Sequence, residues 1–473
     1  MSKKIFFLAE NDGNAKMCLS IAKNIKILKP EIDLSLIDVS QCYENCISGA
    51  AIFEKAGFKS IRVSFINNNN SNLDLNFAEY FYALFKREQP LAIIIPHELG
   101  YAAIAVNISH EMGILSMHYQ HGDLDPDYYD EITEEGIYPR KYKFQCILSL
   151  KNGKLRTFLT LQNKICSDEL NLIYCVLIAI KKLIAHNFDY FLYLIHIKFG
   201  TIKGKNKGKP NTSKFINVEK RSCILADYVA VNGDYWKQNL TNRGISEDKI
   251  IVTGNLRTDQ FFNQPLSDYT TLCQHYGLNP KLPLIIYFYS PVEESCYLYP
   301  LAYDPIEAIH DVITAIRTAN PDYNILILNH PRRKLNTLNS IIELGISTLK
   351  VGYTENNFWS LCNHSDLIIG TISSAMNESL LARKPIITQN YIFKNKGSSL
   401  LSEYNAAISV FHKIHLNQQI KRAIFDKKFR ENLIENQKIA SYELMGQFDG
   451  KCGERFARSL LQIVENHEKK GDY

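Results

Sequence analysis

Residues Ser365–Thr388, SDLIIGTISSAMNESLLARKPIIT, decide the fold of this chain because they read as strand, small-residue turn, helix and second strand. The apolar run Leu367-Ile368-Ile369 fits a buried strand, and Gly370 to Ser374 supply the turn. The helix after it would aim free backbone N–H groups at that turn, so Ser373 and Ser374 are candidate phosphate contacts. Glu378 lies one helical turn further on, where a carboxylate accepts hydrogen bonds from vicinal sugar hydroxyls. Phosphate donors beside a diol acceptor suggest a nucleotide or nucleotide-sugar site. An ordinary α/β turn with a serine cap fits the same residues.

Similar units recur on either side. Toward the N-terminus, strands at Ile5 to Ala9, Ile32 to Val39, Leu91 to Ile95 and Leu115 to Tyr119 alternate with helices, which predicts a parallel, doubly wound sheet. Ligands of such sheets bind beyond the C-terminal strand ends. His97-Glu98 and Gln120-His121-Gly122 both follow strands directly and are therefore expected to line one crevice. A second series starts near Pro283, with a strand at Leu284 to Tyr289 and another, Ile325 to Asn329, that runs into His330-Pro331-Arg332-Arg333. Between the two series, Asp227 to Val231 and Lys249 to Gly254 read as strands, the second leading into Asn255-Leu256-Arg257-Thr258-Asp259. The boundary is expected between about residues 265 and 282.

Composition fits this plan. The 473 residues allow two or three domains, and 46% hydrophobic with 22% charged residues is an ordinary globular balance. A formal charge of +5 on a chain this long gives no reason to expect a nucleic-acid partner. The eleven cysteines show no paired metal spacing; Cys42 and Cys46 could share a helix face but lack a further ligand pair, so no metal is expected. The run Lys3 to Leu8 is too short for a secretory signal and reads as a first strand, so the expected compartment is the reducing cytoplasm.

The blocks at 226–259, His330-Pro331, Ser373-Ser374-Glu378 and Phe448-Asp449-Gly450-Lys451 with Glu454-Arg455 occur in an order that resembles the GT-B sugar-nucleotide enzymes. The likeness is to bacterial UDP-N-acetylglucosamine 2-epimerases and related surface-polysaccharide transferases, and it covers roughly residues 225 to 465. It implies two Rossmann-like α/β domains facing a cleft: an acceptor domain over 1–270 and a nucleotide-sugar donor domain over 271–473. It also implies donor contacts from Asn255, Arg257, His330, Arg332, Arg333, Ser373, Ser374 and Glu378, the arginines meeting a diphosphate leaving group without a metal or other cofactor. Simple turn chemistry at Gly254-Asn255 and a solvated basic turn at 332–333 are the alternative readings.

One departure separates the activities. Epimerases of this type carry an acid near the position of Gln120, and glutamine cannot shuttle a proton. The His-Gly at 121–122 is similar instead to the corresponding motif of polymer glycerophosphotransferases, which makes His121 the candidate base or anion contact, with Glu98 the alternative base. The expected activity is sugar transfer from a nucleotide donor to a lipid-linked or polymeric surface-glycan acceptor. A 2-epimerase-like enzyme and a non-catalytic membrane-docked scaffold are the alternatives.

Compact members of this group need only a short connection where this chain has about a hundred residues, Asp123 to Asp227. Leu170 to Ile180 is uncharged and apolar, Leu183 to Phe199 is aromatic and aliphatic, and Lys198 to Lys214 collects six lysines without an acid. No uncharged run reaches the roughly 18 residues that span a bilayer. The expectation is a helical insertion over about 150–220 that lies on an anionic membrane surface, making the protein peripheral to the inner face of the plasma membrane. Packing on the N-terminal domain or in a homodimer is the alternative.

Overall fold

The computed structural model describes residues 3–43, 46–65, 73–98, 100–120, 225–289, 305–330, 338–354, 357–371, 373–392 and 400–471. His121, Arg332, Arg333 and the insertion over 150–220 lie outside the described residues. The described residues all fall within one compact unit, which contains two sheets.

The first sheet comprises β1 (Lys4–Ala9), β2 (Asp33–Asp38), β3 (Lys59–Arg62), β4 (Ala92–Ile95), β5 (Leu115–Tyr119), β6 (Tyr228–Val231) and β7 (Ile250–Val252). Its order is β3-β2-β1-β4-β5-β6-β7, with every pair parallel. The second comprises β8 (Leu284–Phe288), β9 (Asn324–Asn329), β10 (Leu349–Tyr353), β11 (Ser365–Gly370), β12 (Ile386–Gln389) and β13 (Ile408–Val410), in the parallel order β10-β9-β8-β11-β12-β13. Both are doubly wound Rossmann-type sheets, as the strand reading of the sequence implied. Apolar cores flank each sheet, which is why strands such as Leu284–Phe288 are buried along their whole length. Strand order reverses between β1 and β4 and between β8 and β11, and ligands of doubly wound sheets bind beyond the strand ends at such switch points.

The last 20-residue helix, Cys452–Gly471, returns to the first sheet. Its Cys452, Phe456, Leu460 and Val464 join Ile5, Phe7, Ile21 and Ile25 in one core. The return is built around Asp259, a buried residue of the helix Thr258–Asn263. Its carboxylate accepts from the N–H groups of Cys452 (2.9 Å) and Gly453 (2.7 Å) and from Ser20 Oγ (3.1 Å), so it caps the last helix across the fold. Just before that helix the chain passes very close to the ends of β6 and β7. Asn255 N–H donates to Met445 O (2.9 Å) and Trp236 Nε1 to Leu444 O (2.9 Å). Gly446 has φ +75°, and a Cβ there would sit 2.4 Å from Asn232 O; Gly254 has φ +90°, and its Cβ would sit 2.6 Å from Cys452 Sγ. Only glycine fits either place.

Arg455 completes the crossing, donating to Thr253 O (2.8 Å) and through Nη1 to both Asp449 oxygens (3.0 and 2.8 Å). Burial disfavours both charges, but their pairing outweighs it, holding the Asp449 carboxyl below and the Arg455 guanidinium above their ordinary ranges. The motif at 448–455 is thus part of the frame that carries the site.

Asp227 anchors β6 to β5: it accepts from Ser116 N–H (2.8 Å) and Ser116 Oγ (2.7 Å) and lies 3.3 Å from His110 Nε2. Burial works against its charge, yet the bonds from His110 and Ser116 prevail and hold the carboxyl below its usual range.

Two outcomes are expected. Asp259→Ala exposes two buried amides without an acceptor and lowers stability in urea denaturation by about 2 to 4 kcal/mol; an unchanged midpoint would show that the last helix does not depend on the cap. Because the folded pKa of Asp227 is depressed, its contribution is complete above the unfolded value of about 3.9 and is lost as pH falls through the lower folded value. Asp227→Asn is therefore less stable than wild type at pH 7, and the difference shrinks as pH drops below about 4. A difference that stays constant from neutral to acid pH would remove Asp227 from the account.

Candidate functional site

The crevice residues come from strand ends, and the sequence alone does not say which way each side chain turns. At the switch point of the first sheet, Glu10 follows β1 and His97 follows β4 by two residues. Their side chains meet, His97 Nε2 to Glu10 Oε2 at 3.2 Å, and each is 23% exposed. The His97 ring also stands edge-on to Tyr101 at 5.2 Å. Strand-end position alone flagged His97; its carboxylate partner Glu10 shows no motif signal beyond immediately following β1.

Glu98, the next residue, turns the other way. It is 5% exposed, and its carboxylate accepts from the N–H groups of Leu225 and of Ala226 (3.2 Å) and lies 3.4 Å from His118 Nδ1. Those contacts tie the segment entering β6 to the end of β4. Gln120 serves a similar purpose after β5: its N–H donates to Ala230 O (2.8 Å), and its Oε1 accepts from Asn232 N–H (2.8 Å) while the residue stays 3% exposed.

In the second sheet, β11 ends at Gly370, and Thr371 follows at the switch point with its Oγ1 buried and without a hydrogen-bond partner among the described residues. Ser373 is extended (φ −163°) and forms no side-chain cap; Ser374 opens the helix Ser374–Ser379. That helix has six residues, so its dipole is weaker than the sequence pattern implied. Glu378 sits in it with 1% exposure. His330 follows β9 directly and is half-buried.

Arg257 and Glu378, which come from different sheets, meet. Arg257 lies between β7 and the helix Thr258–Asn263, and its Nη1 is 3.1 Å from Glu378 Oε1. The Glu378 side chain is 1% exposed and that of Arg257 38%, so the arginine compensates a charge that is costly to bury alone. Burial, with the Glu378 charge adding to it, holds the neighbouring Cys362 thiol well above its ordinary range. Asn255 supports the pair from below: its Oδ1 accepts from Arg257 N–H (3.0 Å), and its C=O from Thr258 Oγ1 (2.7 Å). The structure thus groups Asn255, Arg257 and Glu378, with Ser373 and Ser374 at the start of the same helix, while the described contacts of Glu98 lie elsewhere.

Among the described residues no three His, Cys, Asp or Glu side chains cluster as a metal site would require, and no described helix is long and apolar enough to cross a membrane.

No protein-family model matches the chain, and no curated protein sequence matches it. Solved structures do. A UDP-GlcNAc 2-epimerase from Neisseria meningitidis, bound to UDP-GlcNAc, is similar with a TM-score of 0.59 at 12% identity, over 97% of this chain and 100% of that one. A glycosyltransferase from Rickettsia africae is similar with a TM-score of 0.53 at 13% identity, over 99% of each chain. The wall teichoic acid polymerase TagF is similar with a TM-score of 0.50 at 11% identity, over 98% of this chain and 89% of that one. The resemblance carried by the sequence motifs is met by these structures over nearly the whole chain, and what they share with it is the fold: two Rossmann-like α/β layers in the GT-B arrangement.

Proposed function

We propose that the protein is a nucleotide-sugar-dependent glycosyltransferase that moves a sugar to a lipid-linked or polymeric surface-glycan acceptor. The observation that carries the transferase reading over epimerisation is Gln120. Its side chain cannot ionise and is engaged as a crosslink to Asn232, whereas epimerisation needs an acid or base there to move a proton at C2. The GT-B fold, and the UDP-GlcNAc held by the Neisseria enzyme that shares it, support a nucleotide-sugar donor.

In this reading Glu378 takes the ribose hydroxyls, and Ser373, Ser374 and Thr371 border the phosphates. His330, Arg332, Arg333 and Arg257 stabilise the diphosphate as it departs, while Asn255 positions Arg257. His121 takes the acceptor proton, because Glu98 is already committed to two backbone amides and His118. The lysines of 198–214 favour an acceptor presented at an anionic membrane.

Incubation with UDP-GlcNAc alone is expected to give no 2-epimer, with UDP released only when an acceptor-bearing membrane fraction is added; free UDP plus the 2-epimer from UDP-GlcNAc alone would reverse the assignment. His121→Ala is expected to cut turnover by about a hundred- to ten-thousandfold with donor affinity retained. Near-normal turnover in that variant would clear His121 of the base role. In liposome flotation, exchanging Lys203, Lys205, Lys207 and Lys209 for glutamine is expected to weaken binding to phosphatidylglycerol vesicles, each lysine contributing about 1 kcal/mol. Equal flotation of both proteins would withdraw the membrane-borne acceptor.

A further inference from the structure

We infer that Arg257 makes the nucleotide site selective for diphosphates: it holds Glu378 in the place of a ribose diol, and only a ligand carrying both a diol and a diphosphate satisfies both side chains. The inference rests on the reading of Glu378 as the ribose carboxylate. Glu378 has 1% of its side chain exposed and Arg257, paired with it at 3.1 Å, 38%, so a ligand that takes up this carboxylate oxygen exchanges with the guanidinium that already holds it.

The two classes of entrant differ in the contacts they give back. A nucleoside offers two neutral hydroxyls to Glu378, replacing a charge-assisted contact with weaker ones, and leaves the guanidinium without its counter-charge. A nucleoside diphosphate offers the same hydroxyls and, one methylene away from the ribose ring, an anion that a guanidinium fork binds through two oxygens. The exchange then conserves charge pairing at both ends. In the first case the cost of displacing Arg257 reduces the apparent affinity; in the second the ligand offsets it.

The local backbone is suited to this. Arg257 N–H is fixed by Asn255 Oδ1 at 3.0 Å, Asn255 N–H by Met445 O at 2.9 Å, and Thr258 Oγ1 by Asn255 O at 2.7 Å. The main chain beneath the arginine is therefore held within its own turn and to the C-terminal crossing, so exchange of partners at the site falls to the Arg257 side chain. The anchor also explains the sequence block: Asn255 fixes the turn, Arg257 projects from it and Asp259 caps the last helix.

The test measures uridine and cytidine by NMR titration, and UDP and CDP by calorimetry, on the full chain and on Arg257→Ala, Arg257→Gln and Glu378→Gln. Wild type is expected to favour a diphosphate over its nucleoside by at least about a hundredfold. Arg257→Ala is expected to weaken the diphosphate by about ten- to a hundredfold and to tighten the nucleoside by about tenfold. Arg257→Gln, which keeps the length and removes the charge, is expected to move both affinities in the same directions and covers the case in which the alanine variant does not fold. A folded arginine variant whose nucleoside affinity is unchanged or weaker overturns the selectivity role. If Glu378→Gln leaves diphosphate and nucleoside affinities unchanged, the ribose reading itself falls and takes this one with it. If Glu378→Gln weakens both while the arginine variants give no nucleoside gain, only the role of Arg257 falls. Wild type that binds none of the four, nor GDP or ADP, overturns both.

Discussion

The last helix can start only where its first amides find an acceptor, and Asp259 is that acceptor. Its carboxylate stands under Cys452 and Gly453 while also holding Ser20 of the helix Asp12–Leu28, so one buried charge ties three parts of the chain that are far apart in sequence. The two glycines at the crossing follow from the same constraint. The chain can bring the last helix onto the first sheet only by passing so close to the ends of β6 and β7 that Gly446 and Gly254 have no room for a side chain. Arg455, bonded to Thr253 and Asp449, then fixes the crossing from the other side.

The candidate site depends on that crossing. Asn255 and Arg257 lie between the end of β7 and Asp259, so the bond that registers the main chain against Met445 also fixes where the Arg257 side chain starts. Glu378 approaches from the second sheet, and a carboxylate that is 1% exposed is tolerated there because a cation reaches it. The site and the frame thus share residues, and a change at Asn255 or Gly254 acts on both.

Much of this was legible in the chain because strands covered on both faces read as uninterrupted apolar runs. Leu367-Ile368-Ile369, Leu284 to Phe288 and Ile93-Ile94-Ile95 all read so, and all lie inside a sheet. Two edge strands gave no such signal: β3 is KSIR, half exposed, and β13 has three residues. The Asp259 cap was not legible because it joins residues 193 positions apart. The same limit applies at the site. His97 and Glu98 both follow β4, but one turns toward Glu10 and the other toward the amides of Leu225 and Ala226, a choice made by partners that local pattern does not reveal.

The central claim is that the crevice closed by Arg257 and Glu378 receives a nucleotide, and thermal unfolding of the wild-type chain with the ribonucleotides UDP, CDP, GDP and ADP tests it most directly. A ligand present at a hundred times its Kd adds about 2.7 kcal/mol to the folded state. The account predicts a clear rise in Tm with at least one of the four that Glu378→Gln diminishes. A Tm unmoved by all four at millimolar concentration would contradict it.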